Sequence, residues 1–81
     1  MKIEVTLFAT LKERIGKRQI NIEISEPVSV SRLLSEISNQ YPQIKNSSGN
    51  ILVSVNQEFA AKDQIIALGD EVAMFPPVSG G

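Results

Sequence analysis

A single amphipathic helix is the strongest constraint in this sequence. Val30, Leu33, Leu34, Ile37 and Tyr41 fall at i, i+3, i+4, i+7 and i+11 and form one apolar stripe, while Arg32, Ser35, Glu36 and Gln40 face away from it. Ser29 follows the break at Glu26-Pro27 and stands where an N-cap oxygen would accept from the first unpaired amides; Pro42 closes the far end. The segments on either side alternate with period 2. Ile3, Val5 and Leu7 oppose Lys2, Glu4 and Thr6; Ile20, Ile22 and Ile24 oppose Asn21 and Glu23; Val72 and Met74 oppose Glu71, Ala73 and Phe75. Strands that are apolar on one side need cover on one face only, and one helix supplies it. The expected class is therefore α+β, a mixed sheet of about five strands with one main helix packed on one face.

The remaining segments fill in the order. Ala9 to Ile15, with Leu11 and Ile15 four apart and Gly16 as cap, predicts one helical turn linking the first two strands, Lys2–Leu7 and Gln19–Ile24. Asn46-Ser47-Ser48-Gly49-Asn50 is a run of turn formers and predicts a loop. Ile51 to Val55 is a β-branched run, Asn56-Gln57 a turn, and Glu58-Phe59-Ala60 a short fourth strand. Asp63 to Leu68 is expected to be a connection pinned to the core by Ile65, Ile66 and Leu68, followed by a tight turn at Gly69-Asp70. The last strand, Glu71 to Phe75, stops at Pro76, which has no N–H to give to a ladder. A helix between the second and third strands permits a crossover that brings first and last strands together. A ubiquitin-like β-grasp satisfies this order.

At 81 residues the chain has room for one hydrophobic core. Residues 1–75 are expected to form that domain and residues 76–81 an extended tail. Eight basic and nine acidic residues give a net charge of -1 with no block of one sign, so neither nucleic acid nor a membrane is an expected partner. Cysteine and histidine are absent. That removes disulfides, thiolate nucleophiles, the commonest zinc ligands and the usual general base, so a self-sufficient enzyme is not expected, nor a bound metal or cofactor. Met1-Lys2 leads directly into a strand pattern with no leader-like apolar run, and the expected location is the cytoplasm.

Two features carry function. If Ile3, Val5, Leu7, Val72 and Met74 pack under the helix, parity puts Phe8 and Phe75 on the uncovered face of the sheet, and Phe59 beside its turn can join them. These are all three phenylalanines of the chain, and an exposed aromatic cluster marks a partner surface. The alternative is that loops cover them, or that the register is shifted by one. The second feature is the tail Pro76-Pro77-Val78-Ser79-Gly80-Gly81. Its prolines favour an extended course, and its six residues can reach at most about 20 Å. Gly80 and Gly81 have no side chains, so such an end can enter a narrow channel. At neutral pH the terminal carboxylate is ionised and a poor electrophile, so it must be activated by a partner, most simply by adenylation. A frayed end or a cloning scar is the bland alternative.

Leu68 to Gly81, with Leu7-Phe8-Ala9, Leu11-Lys12-Glu13, Gly16 and Val55-Asn56-Gln57, resembles the MoaD/ThiS family of ubiquitin-like sulfur carriers. The resemblance spans the chain but is specific at its two ends; Gln19 to Asn50 matches in pattern only. Ser79 stands where threonine is also common, and Met74 where an aromatic often occurs. The resemblance implies that an E1-like adenylating enzyme uses ATP to adenylate Gly81 and that a sulfur donor system converts it to a thiocarboxylate. The tail then enters the large subunit of molybdopterin synthase and gives sulfur to cyclic pyranopterin monophosphate. It further implies that Gly80, Ser79, Val78, Pro77 and Pro76 pass through the partner's channel and that Phe8, Phe59 and Phe75 contact the large subunit. Three other readings stay open: a ubiquitin-like modifier conjugated to lysines through Gly81, a non-covalent interaction domain with an incidental tail, and a carrier serving thiamine thiazole or another acceptor.

Overall fold

The computed structural model describes residues 1–76, with 46–49 described by backbone alone. Among these residues seven strands and two α-helices follow in chain order: β1 (Lys2–Leu7), α1 (Ala9–Ile15), β2 (Gln19–Glu23), β3 (Val28–Ser29), α2 (Val30–Gln40), a 3-10 helix (Pro42–Asn50), β4 (Leu52–Val55), β5 (Glu58–Phe59), β6 (Ile65–Ile66) and β7 (Val72–Phe75). Five strands make one mixed sheet in the order β2-β1-β7-β4-β5, and β3 pairs with β6 in a separate two-stranded sheet. β1 and β7 run parallel side by side, Val5 opposite Val72 and Leu7 opposite Met74. The expected adjacency of first and last strands is thus realised, with β7 at the centre of the sheet, between β1 and β4. The order and the single covering helix are those of a β-grasp.

The covered face carries the core. Val5, Ile22, Leu33, Ile37, Val72 and Met74 have essentially no solvent exposure, and they belong to one cluster that joins sheet and α2. Burying a side chain of this size contributes about 1.5–3 kcal/mol, which is why the alternation of β1, β2 and β7 fixes their register. α2 begins as expected: the Ser29 side chain accepts from the Arg32 N–H at 3.1 Å. The short helix α1 ends on Gly16, whose φ of 81° is the left-handed conformation that favours glycine and whose N–H donates to the Lys12 carbonyl at 2.8 Å.

Some expectations change, and one buried residue is new. The segment Asn46 to Asn50 is not a loop but the second half of the 3-10 helix, which places Ile44 fully in the core. Of the three apolar residues expected to pin the Asp63 to Leu68 connection, Ile66 alone does so; Ile65 is 57% and Leu68 76% exposed. For Ile65 the physical reason is that it belongs to a strand, in which Ile66 pairs with Val28 and Ile65 with Ser29 and neighbouring side chains go to opposite sides; Leu68 lies beyond that strand, in the turn with Gly69. Ser38, unassigned by hydropathy, is 6% exposed and its hydroxyl has no hydrogen-bond partner among the described residues. Some strand ends are also shorter than expected, with Ile24, Ile51, Ala60 and Glu71 outside the ladders.

Candidate functional site: an aromatic face at the root of the tail

Chain order along β7 determines what the open face of the sheet presents. Val72 and Met74 point into the core, so Ala73 and Phe75 point out, and Phe75 is the last residue of the strand. β1 ends one residue before Phe8, whose N–H donates to the Met74 carbonyl at 3.2 Å and holds its backbone alongside the end of β7. The two rings stack with centroids 4.7 Å apart and planes 4° from parallel. From the other side Phe59, on β5, meets Phe75 edge-on at 5.7 Å. Offset stacking and edge contacts are the arrangements that ring quadrupoles favour, worth about 0.5–1.5 kcal/mol per pair beyond burial. The three phenylalanines that parity placed on the uncovered face therefore form one cluster. Phe8 is 42% and Phe59 70% exposed, which rules out a covering loop.

Leu52 belongs to the same surface and was missed by the sequence reading. It lies opposite Phe75 in the β4–β7 ladder and is 39% exposed. No local signal marks it: within Ile51 to Val55 every residue is apolar except Ser54, so hydropathy hides which of them face outward, and the pairing register decides it.

Phe59 is placed by a tight hairpin and a hydrogen-bonded clasp. Val55 pairs with Glu58, leaving Asn56 and Gln57 as a two-residue turn with φ of 54° and 71°. That is the geometry of a type I′ hairpin, in which asparagine is among the few residues that tolerate positive φ. The Asn56 side chain then ties the turn to the start of β7: its Nδ2 donates to Asp70 Oδ1 at 3.1 Å, and the Glu71 N–H donates to its Oδ1 at 2.9 Å. Asp70 in turn accepts from the Ala67 N–H at 2.8 Å, closing the turn that Gly69 makes with a φ of 90°. The residues Val55-Asn56-Gln57 and Gly69-Asp70, noticed separately in the sequence, are one structural unit.

Phe75 is followed by Pro76, the last described residue, which places the root of the tail at the edge of the aromatic cluster. Pro77, Val78, Ser79, Gly80 and Gly81 lie outside the described residues. Among the described residues no group of His, Cys, Asp or Glu could hold a metal ion, and no helix is long and apolar enough to cross a membrane. The described surface offers binding geometry, an aromatic platform beside a chain terminus.

Comparison with known proteins agrees with this fold. The chain is 41% identical over 83 residues to the molybdopterin synthase sulfur carrier subunit of Dictyostelium discoideum, covering 99% of this chain and 96% of that protein. It is 34% identical to the human protein of the same name, covering 99% and 94%. Among solved structures, SAMP1 from Haloferax volcanii superposes with a TM-score of 0.82 at 33% identity, over 100% of both chains. The model of the ThiS family matches residues 5–81, which takes in the sheet, the aromatic face and the tail. By that match and by these whole-length similarities, the chain belongs to the ThiS family of ubiquitin-like β-grasp proteins.

Proposed function

We propose that this chain is the sulfur carrier subunit of a molybdopterin synthase, a co-substrate whose C-terminal glycine bears the transferred atom. The observation that carries the reading is the conjunction of an aromatic docking face with the root of a Gly-Gly tail, in a chain whose whole length matches proteins of that name. In this reading the Gly81 carboxylate attacks the α-phosphorus of ATP on an E1-like enzyme and releases pyrophosphate. A sulfur donor then displaces AMP from the acyl carbon, leaving a thiocarboxylate. Phe8, Phe59 and Phe75 dock the domain on the large synthase subunit, Pro76 and Pro77 direct the tail outward, and Val78, Ser79 and Gly80 thread the channel. There the thiocarboxylate sulfur passes to cyclic pyranopterin monophosphate. Beyond its terminal carboxylate the chain supplies no base or nucleophile to these steps; its partners do, in keeping with the lack of histidine and cysteine.

Deleting Gly81 tests the chemistry. Molybdopterin formation with the large subunit should fall to background while the melting temperature stays unchanged, because an extended terminus makes little contribution to the core. Synthesis by the truncated chain would overturn the proposal. Intact-mass spectrometry of protein from its own cells provides an independent check. A species heavier by sulfur minus oxygen at the C-terminus is expected; ladders of conjugates on other proteins, without that species, would replace the carrier by a modifier.

A further inference from the structure

The open face contains a groove beside the aromatic cluster, with a volume of about 330 Å³. Its floor follows from register. Ala73 on β7 lies opposite Thr6 on β1 and opposite Ser54 on β4, so three short side chains stand in a row across the central strands. Large residues bound this row at its two ends. Phe8 and Phe75 form one wall, and Glu71 and Gln57 form the other. Along the chain Glu71 and Phe75 are four residues apart, about 13 Å at roughly 3.3 Å per residue. The groove is thus a slot with an aromatic end and an acidic end.

Its charge is one-sided. Among the described residues Glu71 is the one ionisable residue that lines it, and no lysine or arginine does. The backbone of Glu71 is held on both sides by Asn56, whose N–H donates to the Glu71 carbonyl at 2.7 Å and whose Oδ1 accepts from the Glu71 N–H at 2.9 Å. The carboxylate that this anchored backbone carries at the rim of the slot calls for a cation, and the slot's aromatic wall and small floor call for one with a long apolar stem. Arginine meets both demands, since its guanidinium forks onto a carboxylate and its stem lies along apolar surface, whereas an ammonium is a compact, strongly hydrated point charge.

We infer that this groove is the socket for an arginine side chain of the docking partner, with the stem over Ala73 and the guanidinium on the Glu71 carboxylate. The inference rests on the proposed docking of this face to the large synthase subunit. The Thr6 hydroxyl and the Gln57 side-chain carbonyl are the further acceptors available to a five-donor head group. The aromatic cluster then supplies the apolar contact and Glu71 the orientation, so that the tail leaving Pro76 points in one direction along the partner.

Calorimetric titration of the full-length chain with the large subunit separates the two ideas. Glu71→Gln should weaken binding roughly tenfold, the effect of losing about 1.4 kcal/mol, and should flatten its salt dependence while the melting temperature is unchanged. Ala73→Leu, which fills the slot from its floor, should weaken binding at least as much. If Phe75→Ala weakens binding and Glu71→Gln does not, the socket is wrong and the docking face stands. Weakening by Ala73→Leu alone among the two groove variants identifies an apolar occupant and also overturns the arginine. If neither Phe75→Ala nor Glu71→Gln changes the affinity, the docking of this face fails with the socket.

Discussion

The two faces of the central strands are built from alternate residues of the same segments, yet they are different materials. On the covered side Val5, Leu7, Val72 and Met74 are buried apolar side chains in one core cluster with Leu33 and Ile37 of α2. On the open side Thr6, Phe8, Ala73 and Phe75 combine a small-residue floor with an aromatic wall. A shift of one residue in register would exchange the two sets, so the burial that stabilises the fold also holds the aromatic cluster outside. Covered positions are chosen by size and shape. Open positions are free of that demand, and large apolar residues there need another reason to exist.

Substituting equivalent positions on the two faces would break or sharpen this contrast. Met74→Ala leaves a cavity at a site with no solvent exposure, and a loss of about 2–5 kcal/mol of stability is expected, read from the urea midpoint. Its neighbour Phe75→Ala should cost the fold less, about 1–3 kcal/mol from two ring contacts, while weakening the proposed complex with the large subunit by about 2 kcal/mol or more. Equal losses of stability at both residues would show that the open face is core.

How much of this was legible in the sequence depends on what each segment's signal measures. Where alternation runs five or six residues, as in β1 and β2, both the strand and the facing of each side chain were readable, and the position of Phe8 followed from counting. β3 and β6 are two residues each, too short for any period to appear; Ile65 and Leu68 were expected in the core because hydropathy was the one signal left. The second half of the 3-10 helix, Asn46 to Asn50, was read as a loop because its residues are polar turn formers, while the helix's buried anchor, Ile44, lies just before them. The phenylalanine cluster was half legible. Parity placed Phe8 and Phe75 on one face, but Leu52, the groove floor and the Asn56 clasp depend on the pairing of β7 with β4, a contact between segments that local pattern does not encode.

The smallest effect concerns a flaw on the covered side. Ser38 occupies the helix position one turn after Leu34, is 6% exposed, and its hydroxyl has no partner among the described residues. A buried hydroxyl without a hydrogen bond forfeits its hydration, a cost of about 1–3 kcal/mol that packing must offset. Ser38→Ala removes the polar atom, keeps the methylene that touches the core and improves helix propensity. The variant should therefore be neutral or more stable by up to about 1 kcal/mol, with the affinity for the large subunit unchanged because the residue lies on α2, across the sheet from the aromatic face. A loss of about 1 kcal/mol would mean that the hydroxyl is satisfied in solution, by water or by a helix carbonyl. A loss of affinity without a loss of stability would be more consequential, since it would show that the covered and open faces are energetically coupled through the strands they share.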